Sequence, residues 1–289
     1  VGAEFSAWSG RDMSVFELRS LSDELLLGPA VEVFSKLMQK PTFPADAIER
    51  TRDSILVSLK RKEQSPGSVA SLAFYGYLYK DHPYGNPASG MEEGVRNIKR
   101  RDLLDFYREY FVGANVVIAI VGDLSIDQAR SWADHIAGGL SRGAKPDPIP
   151  EAEQLNKNHS LNIEFPSSQT HLMMGQVGIA RDDPDYFPLY VGNHILGGSG
   201  LISRLALDIR EERGLVYSVS SYFYPMREPG PFLISLQTRN DQAAMAEGLS
   251  MDTLRGFVDQ GPTLEELESA RKNITGGFPL RISSNKKIA

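Results

Sequence analysis

Apolar and polar residues alternate over Glu4–Ser9 and again over Ser14–Arg19, with a Gly10-Arg11-Asp12 turn between the two runs. A period of two puts alternate side chains on one face, so these runs predict the strands of a hairpin. The period then changes. Leu26, Ala30, Val33, Phe34 and Leu37 recur at spacings of three and four, which predicts a helix from Leu25 to about Gln39. A second helix is predicted from about Pro44 to Glu63, opened by Pro44-Ala45-Asp46 and closed by Pro66. A helical region over Val69–Tyr79 runs into the loop His82–Pro87, and Lys99-Arg100-Arg101-Asp102 leads a short helix to Tyr110. The unbroken apolar run Val116–Val121 predicts a buried strand, stopped by Gly122-Asp123 and followed by a helix from Ser125 to about Ile136.

Between Gly138 and Lys157 the pattern is replaced by Gly138-Gly139, Pro146, Pro148 and Pro150 among polar residues, the composition of a surface linker. Beyond it, Ser160–Phe165 and His171–Val177 read as strands. Asp182-Asp183-Pro184 starts a helix to about Leu196, and Leu201–Glu212 continues helical. Tyr217–Phe223 and Phe232–Gln237 read as strands, and two helices close the chain. Sliding the sequence on itself so that Pro44 meets Thr263 aligns Ile48 with Leu267, Glu49 with Glu268 and Arg52 with Arg271, in each case after two strands and a helix. The expectation is an α+β fold of two homologous halves, each an antiparallel or mixed sheet with helices packed on one face. Residues 1–140 form the first copy, without an opening strand and helix, 141–157 the linker, and 158–289 the second copy, without its last third. Val1 in place of a start methionine, and an amphipathic stretch still running at Lys286-Lys287-Ile288-Ala289, read as the ends of a fragment.

Charge and composition narrow the chemistry. With 31 basic and 37 acidic residues the net charge is −6, and basic clusters such as Lys99-Arg100-Arg101 are short, so nucleic acid is not an expected partner. No apolar run reaches the roughly 18 residues of a membrane-spanning helix. The absence of cysteine removes disulfides, thiolate zinc sites, iron–sulfur clusters and cysteine nucleophiles together. Any metal must therefore use carboxylates and the five histidines, His82, His135, His159, His171 and His194. None of these has H-x-x-E-H, H-E-x-x-H or H-x-H spacing, so no metal site is expected in this chain. Gly197-Gly198-Ser199-Gly200-Leu201 fails the serine-hydrolase elbow at Leu201 and lacks the strand that precedes a dinucleotide loop, so it reads as a break between helices.

Four runs taken in order, Glu49–Leu59, His82-Pro83-Tyr84-Gly85, Asn115–Asp123 and Ser203-Arg204-Leu205 through Arg210–Ser218, resemble the pitrilysin/insulinase-type zinc peptidases (inverzincins). Mitochondrial processing peptidase and bacterial two-subunit peptidases belong to that family. The resemblance implies duplicated α+β halves. It also implies a zinc ion held by an H-x-x-E-H helix that would precede Val1, with a third ligand Glu on a later helix. In the R-D-x-I-L-x-E pattern that Glu falls on Ser58, whose neutral hydroxyl cannot replace a carboxylate on Zn²⁺, and Glu63 is a turn or more away.

The other half of such active sites is an Arg and a Tyr seven residues apart, a spacing matched by Arg210 and Tyr217. By resemblance the Tyr hydroxyl donates to the developing oxyanion and the Arg holds a substrate carbonyl. The residues alone also allow a plainer reading, with Arg210 on a solvated helix face beside Asp208, Glu211, Glu212 and Arg213, and Tyr217 in a core strand. Phe5-Ser6-Ala7-Trp8 stands in the family's substrate-strand position, with Ser6 where active chains tend to have Asn. The chain is thus similar to the zinc-less partner of a heterodimeric peptidase, inactive alone. It would hold no cofactor itself, would serve a homologous zinc-bearing subunit, and would bind extended peptide by strand addition. The alternatives are a self-sufficient zinc peptidase trimmed of its H-x-x-E-H helix, and a structural or assembly protein of the same fold. Compartment is unassigned, with the periplasm favoured over the cytoplasm.

Overall fold

The computed structural model describes residues 2–289. Its contacts divide into two compact units, each discontinuous in sequence. One comprises the stretch up to Leu59 with Ala88–Pro148 and Pro279–Ala289; the other comprises Lys60–Pro87 with Ile149–Phe278. The fold is α+β, with small antiparallel sheets and helices against them, as the patterning implies.

In the first unit, β1 (Glu4–Ser9) and β2 (Ser14–Arg19) form the expected hairpin, in register Ser6 with Glu17 and Ala7 with Phe16. The Gly10 N–H donates to the Met13 carbonyl at 2.8 Å. Hydrogen-bonded pairs alternate from there, so the backbone groups of Phe5 and Ala7 point away from β2. Helix α1 (Glu24–Gln39) starts at Asp23, whose carboxylate accepts from the Leu25 N–H at 2.9 Å, and it buries Ala30, Val31 and Ser35. Phe34 of α1 stacks on Phe5 with centroids 6.3 Å apart. Helix α2 spans Ala45–Glu63 and α4 spans Glu92–Asn97, with Lys60–Pro87 of the other unit intervening. The Arg52 guanidinium bonds Glu49 and also donates to the carbonyls of Val95, Arg96 and Ile98, closing the end of α4. Helix α5 (Arg100–Tyr110) sends Arg100 to the carbonyls of Thr42 and Phe43, so the Lys99-Arg100-Arg101 cluster is partly spent on the fold. Helix α6 (Ile126–Ala137) opens with a reciprocal Ser125/Gln128 capping box. Gln39 of α1 closes it by donating to the His135 and Ile136 carbonyls.

The second unit is built on a three-stranded sheet in the order β3 (Gln169–Val177), β5 (Pro231–Arg239), β4 (Val216–Phe223). The central strand β5 buries Leu233 and Ile234 in succession, which requires cover on both faces. Helix α3 (Pro66–Tyr79) lies against β3, with Phe74 beside Gly175, which is why Lys60–Pro87 groups with this unit. The His82-Pro83-Tyr84-Gly85 run is a single 3₁₀ turn. The His82 ring accepts the Tyr84 N–H, fully buried Tyr84 accepts from the Glu228 N–H at 3.0 Å, and a Cβ on Gly85 would sit 2.7 Å from the Lys80 carbonyl.

The helical layer of this unit contains α7 (Tyr186–Asn193), a π turn at His194–Gly198, a second π segment at Ala206–Glu212, α8 (Ala243–Gln260) and α9 (Leu264–Arg281). Leu196, Leu205, Ile209, Val219, Ile234, Leu236 and Ala246 form its core. A four-residue helix α10 (Asn285–Ile288) belongs to the first unit. Helices α2 and α9 begin at Ala45 and Leu264, the positions that meet when Pro44 is laid on Thr263.

Two predicted strands are corrected. Val116–Val121 and Ser160–Phe165 carry no strand pairing, and Val117 and Leu161 are 96% and 58% exposed. Val116 is extended (φ −115°, ψ 136°), so local propensity is obeyed. An apolar run becomes a buried strand only when a neighbour takes its backbone hydrogen bonds, and none does so among the described residues.

Candidate functional site

The π segment Ala206–Glu212 buries Ala206 and Ile209 and turns the next residue, Arg210, toward the start of β4. Gly214 ends the segment at φ +62°, a conformation open to glycine without strain. Its N–H returns to the Arg210 carbonyl at 3.0 Å, and the Leu215 N–H returns to the Ile209 carbonyl at 3.0 Å. The chain then enters β4, whose second residue is Tyr217. The Arg210 guanidinium carbon stands 5.7 Å from the centroid of the Tyr217 ring, so the structure brings the two together.

Their surroundings differ. Tyr217 is 79% exposed and projects its hydroxyl outward, in contrast to a core strand residue. The Arg210 side chain is mostly covered. Its Nη1 is ion-paired with a Glu211 carboxylate oxygen at 3.1 Å, but off hydrogen-bonding geometry, so this buried N–H makes no hydrogen bond. Such a donor costs stability unless an acceptor arrives. The remaining charges of this stretch are paired among themselves: Arg213 binds Asp208 and Glu212, and Asp208 also accepts from Thr253 of α8 at 2.6 Å. Arg210 and Tyr217 are therefore two donors, one cationic, suited to a carbonyl oxygen that gains negative charge.

At the far end of β4, a cavity of about 440 Å³ lies between that strand and the π turn after α7. Tyr186, Tyr190, Tyr222 and Phe223 supply its aromatic walls, and neither Arg210 nor Tyr217 lines it. Burial raises the pKa of the Tyr222 hydroxyl. The Asn193 side-chain amide donates to the Ser221 carbonyl at 3.0 Å, and a Cβ on Gly197 would fall 2.5 Å from the Ser221 nitrogen. Gly197 thus marks a close approach of the π turn to β4.

The other predicted residues belong to the first unit. Phe5, Ser6, Ala7 and Trp8 are all exposed along β1, which pairs with β2 alone among the described residues. Ser6 donates to Glu17 at 2.8 Å, as does Lys286. Lys286, and then Ser6, hold the Glu17 carboxyl below its ordinary range.

Ser58 is an exposed hydroxyl on α2, and Glu63 follows it by about 7.5 Å along the helix axis. Among the described residues no three His, Asp or Glu side chains converge. This donor set does not fit a catalytic zinc ion, which needs three N, S or carboxylate ligands besides its water. Thr238, which bonds the Leu215 carbonyl, went unnoticed in the sequence, where a Thr in a strand carries no signal beyond β propensity.

Comparison with known proteins adds identity to this geometry. A peptidase M16 inactive domain from Pseudomonas fluorescens superposes with a TM-score of 0.94 at 39% identity, over 99% of this chain and 68% of that one. A protease from Helicobacter pylori superposes at 0.89 with 17% identity, over 100% and 70%, a likeness of fold. An uncharacterized zinc protease of Bacillus subtilis is 25% identical over 294 residues, covering all of this chain and 69% of the relative. The chain spans 58% to 69% of the length of the curated relatives it matches. The family model for insulinase (peptidase family M16) matches residues 1–91, and that for the peptidase M16 inactive domain matches residues 97–274. With matches along nearly its whole length, the chain belongs to the M16 insulinase-type peptidase family, and its larger matched region to that family's inactive domain.

Proposed function

We propose that this chain is the zinc-less subunit of a heterodimeric M16 metallopeptidase and lends Arg210 and Tyr217 to a homologous partner that carries zinc. The observation behind this reading is the buried Nη1 of Arg210, ion-paired with Glu211 but making no hydrogen bond, beside the ring of an exposed tyrosine. A substrate carbonyl seated there accepts both donors. The Tyr217 hydroxyl follows the oxygen as charge builds, and Arg210 supplies the balancing positive charge. The partner's zinc supplies the activated water. Strand β1 offers the outward backbone groups of Phe5 and Ala7 to an extended peptide, the pairing by which a strand is added to a free edge.

The test is reconstitution with the H-x-x-E-H chain of the same genome, assayed on internally quenched peptides. Activity should require both chains, and Tyr217→Phe should lower kcat by about 10²-fold with the complex intact. Full activity in the zinc-bearing chain alone, or undiminished turnover with Tyr217→Phe, rejects the proposal.

A further inference from the structure

Tyr217 leaves the sheet through a bulge. Val216 faces Thr238 and Val219 faces Leu236, so β4 spends three steps where β5 spends two. In a regular strand residues 216 and 219 would point to opposite faces. The extra residue keeps both valines in the core and turns Tyr217 and Ser218 outward together.

The base of this bulge is pinned from two sides at Leu215, itself buried. Its N–H is bound by the Ile209 carbonyl, one residue before Arg210. Its carbonyl accepts the Thr238 hydroxyl at 2.6 Å, and Thr238 is only 2% exposed. One backbone unit therefore joins the helical segment carrying Arg210, the strand carrying Tyr217, and the opposing strand.

We propose that Thr238 is a positioning residue for the Arg210–Tyr217 pair, an inference that rests on the function proposed above. Its methyl fills the core as a valine methyl would. Its hydroxyl sets where β4 begins to bulge, and so where the Tyr217 hydroxyl stands relative to the Arg210 guanidinium. Donor pairs of this kind tolerate little displacement, since an error of about 1 Å at a reacting oxygen is felt in the rate.

Thr238→Val removes the hydroxyl at constant shape, and Thr238→Ser keeps it. With fluorotyrosine incorporated and the Tyr217 resonance assigned through Tyr217→Phe, the ¹⁹F signal should move in Thr238→Val and return in Thr238→Ser. In the two-chain enzyme Thr238→Val should lower kcat about 10-fold with KM within twofold, and Thr238→Ser should restore it. Thr238→Ala is read in the same way if the valine variant does not accumulate folded. Unchanged kcat in Thr238→Val while Tyr217→Phe is impaired overturns the inference, as does failure of Thr238→Ser to restore it. If Tyr217→Phe is itself unimpaired, the proposed function fails, and the ¹⁹F signal alone decides the positioning: an unmoved Tyr217 resonance overturns it and a moved one supports it.

Discussion

Arg204 grips Glu266 through two hydrogen bonds, 2.6 Å from Nε and 2.7 Å from Nη2, joining the residues just before the π segment to the first turn of α9. The same carboxylate accepts the Thr263 N–H at 2.7 Å while the Thr263 hydroxyl takes the Glu266 N–H, a reciprocal cap. The third guanidinium contact is the Gly261 carbonyl at 2.9 Å, so one arginine fixes both sides of the α8–α9 turn. Bidentate pairing of this kind is stronger than a surface ion pair.

Acid stability should report this pair. Arg204, helped by Thr263, holds Glu266 at about 2, below its ordinary 4.5. A depressed carboxyl stabilises the fold fully above its unfolded value and loses that contribution as pH falls through the folded one. Thermal melts should therefore show stability draining between about pH 4.5 and 2. Glu266→Gln should cost about 1–3 kcal/mol at neutral pH and flatten that part of the profile. An unchanged acid limb in the variant would exclude Glu266 as its source.

The chain should hold no stoichiometric zinc after dialysis, because Ser58 offers a hydroxyl where a carboxylate ligand is needed. Metal analysis of the purified protein checks this. One tightly held zinc per chain, lost on substitution of residues within it, would contradict the proposed division of labour.

Gly197→Ala should destabilise the second unit by about 1–3 kcal/mol, since the new methyl would fall 2.4 Å from the Ser221 hydroxyl and 2.5 Å from its nitrogen. Gly248→Ala, with nothing within 4 Å, is the control and should be neutral or slightly stabilising. Denaturant melts of the two variants separate steric crowding from the general effect of losing a glycine.

Ala7→Pro removes an N–H that points away from β2, so the hairpin ladder keeps its hydrogen bonds. In the two-chain enzyme it should raise KM about 10-fold with kcat little changed, as expected where a strand-addition hydrogen bond aids ground-state and transition-state binding alike. Equal KM values for the two proteins would remove β1 from the peptide path.

Patterning along the chain was sufficient for the hairpin, for α1, α2 and α6, and for all three strands of the larger sheet. In each of these the period and the end signals agree with the partners at hand. Arg210 and Tyr217 stood out through the family resemblance of the run that holds them, while the residues alone left the plainer reading open. Tertiary structure decided the rest. Val116–Val121 has every residue a buried strand needs and is left unpaired, because pairing belongs to a neighbour and is not encoded in the run itself. Tyr217 faces outward, against strict alternation, because a buried hydroxyl 21 positions later in the sequence and the register of β5 place a bulge beneath it. Arg210 is withdrawn from the charged helix face its neighbours suggest, for its direction follows from a widened helical turn packed on Ile209, and that packing exists only once the sheet is in place.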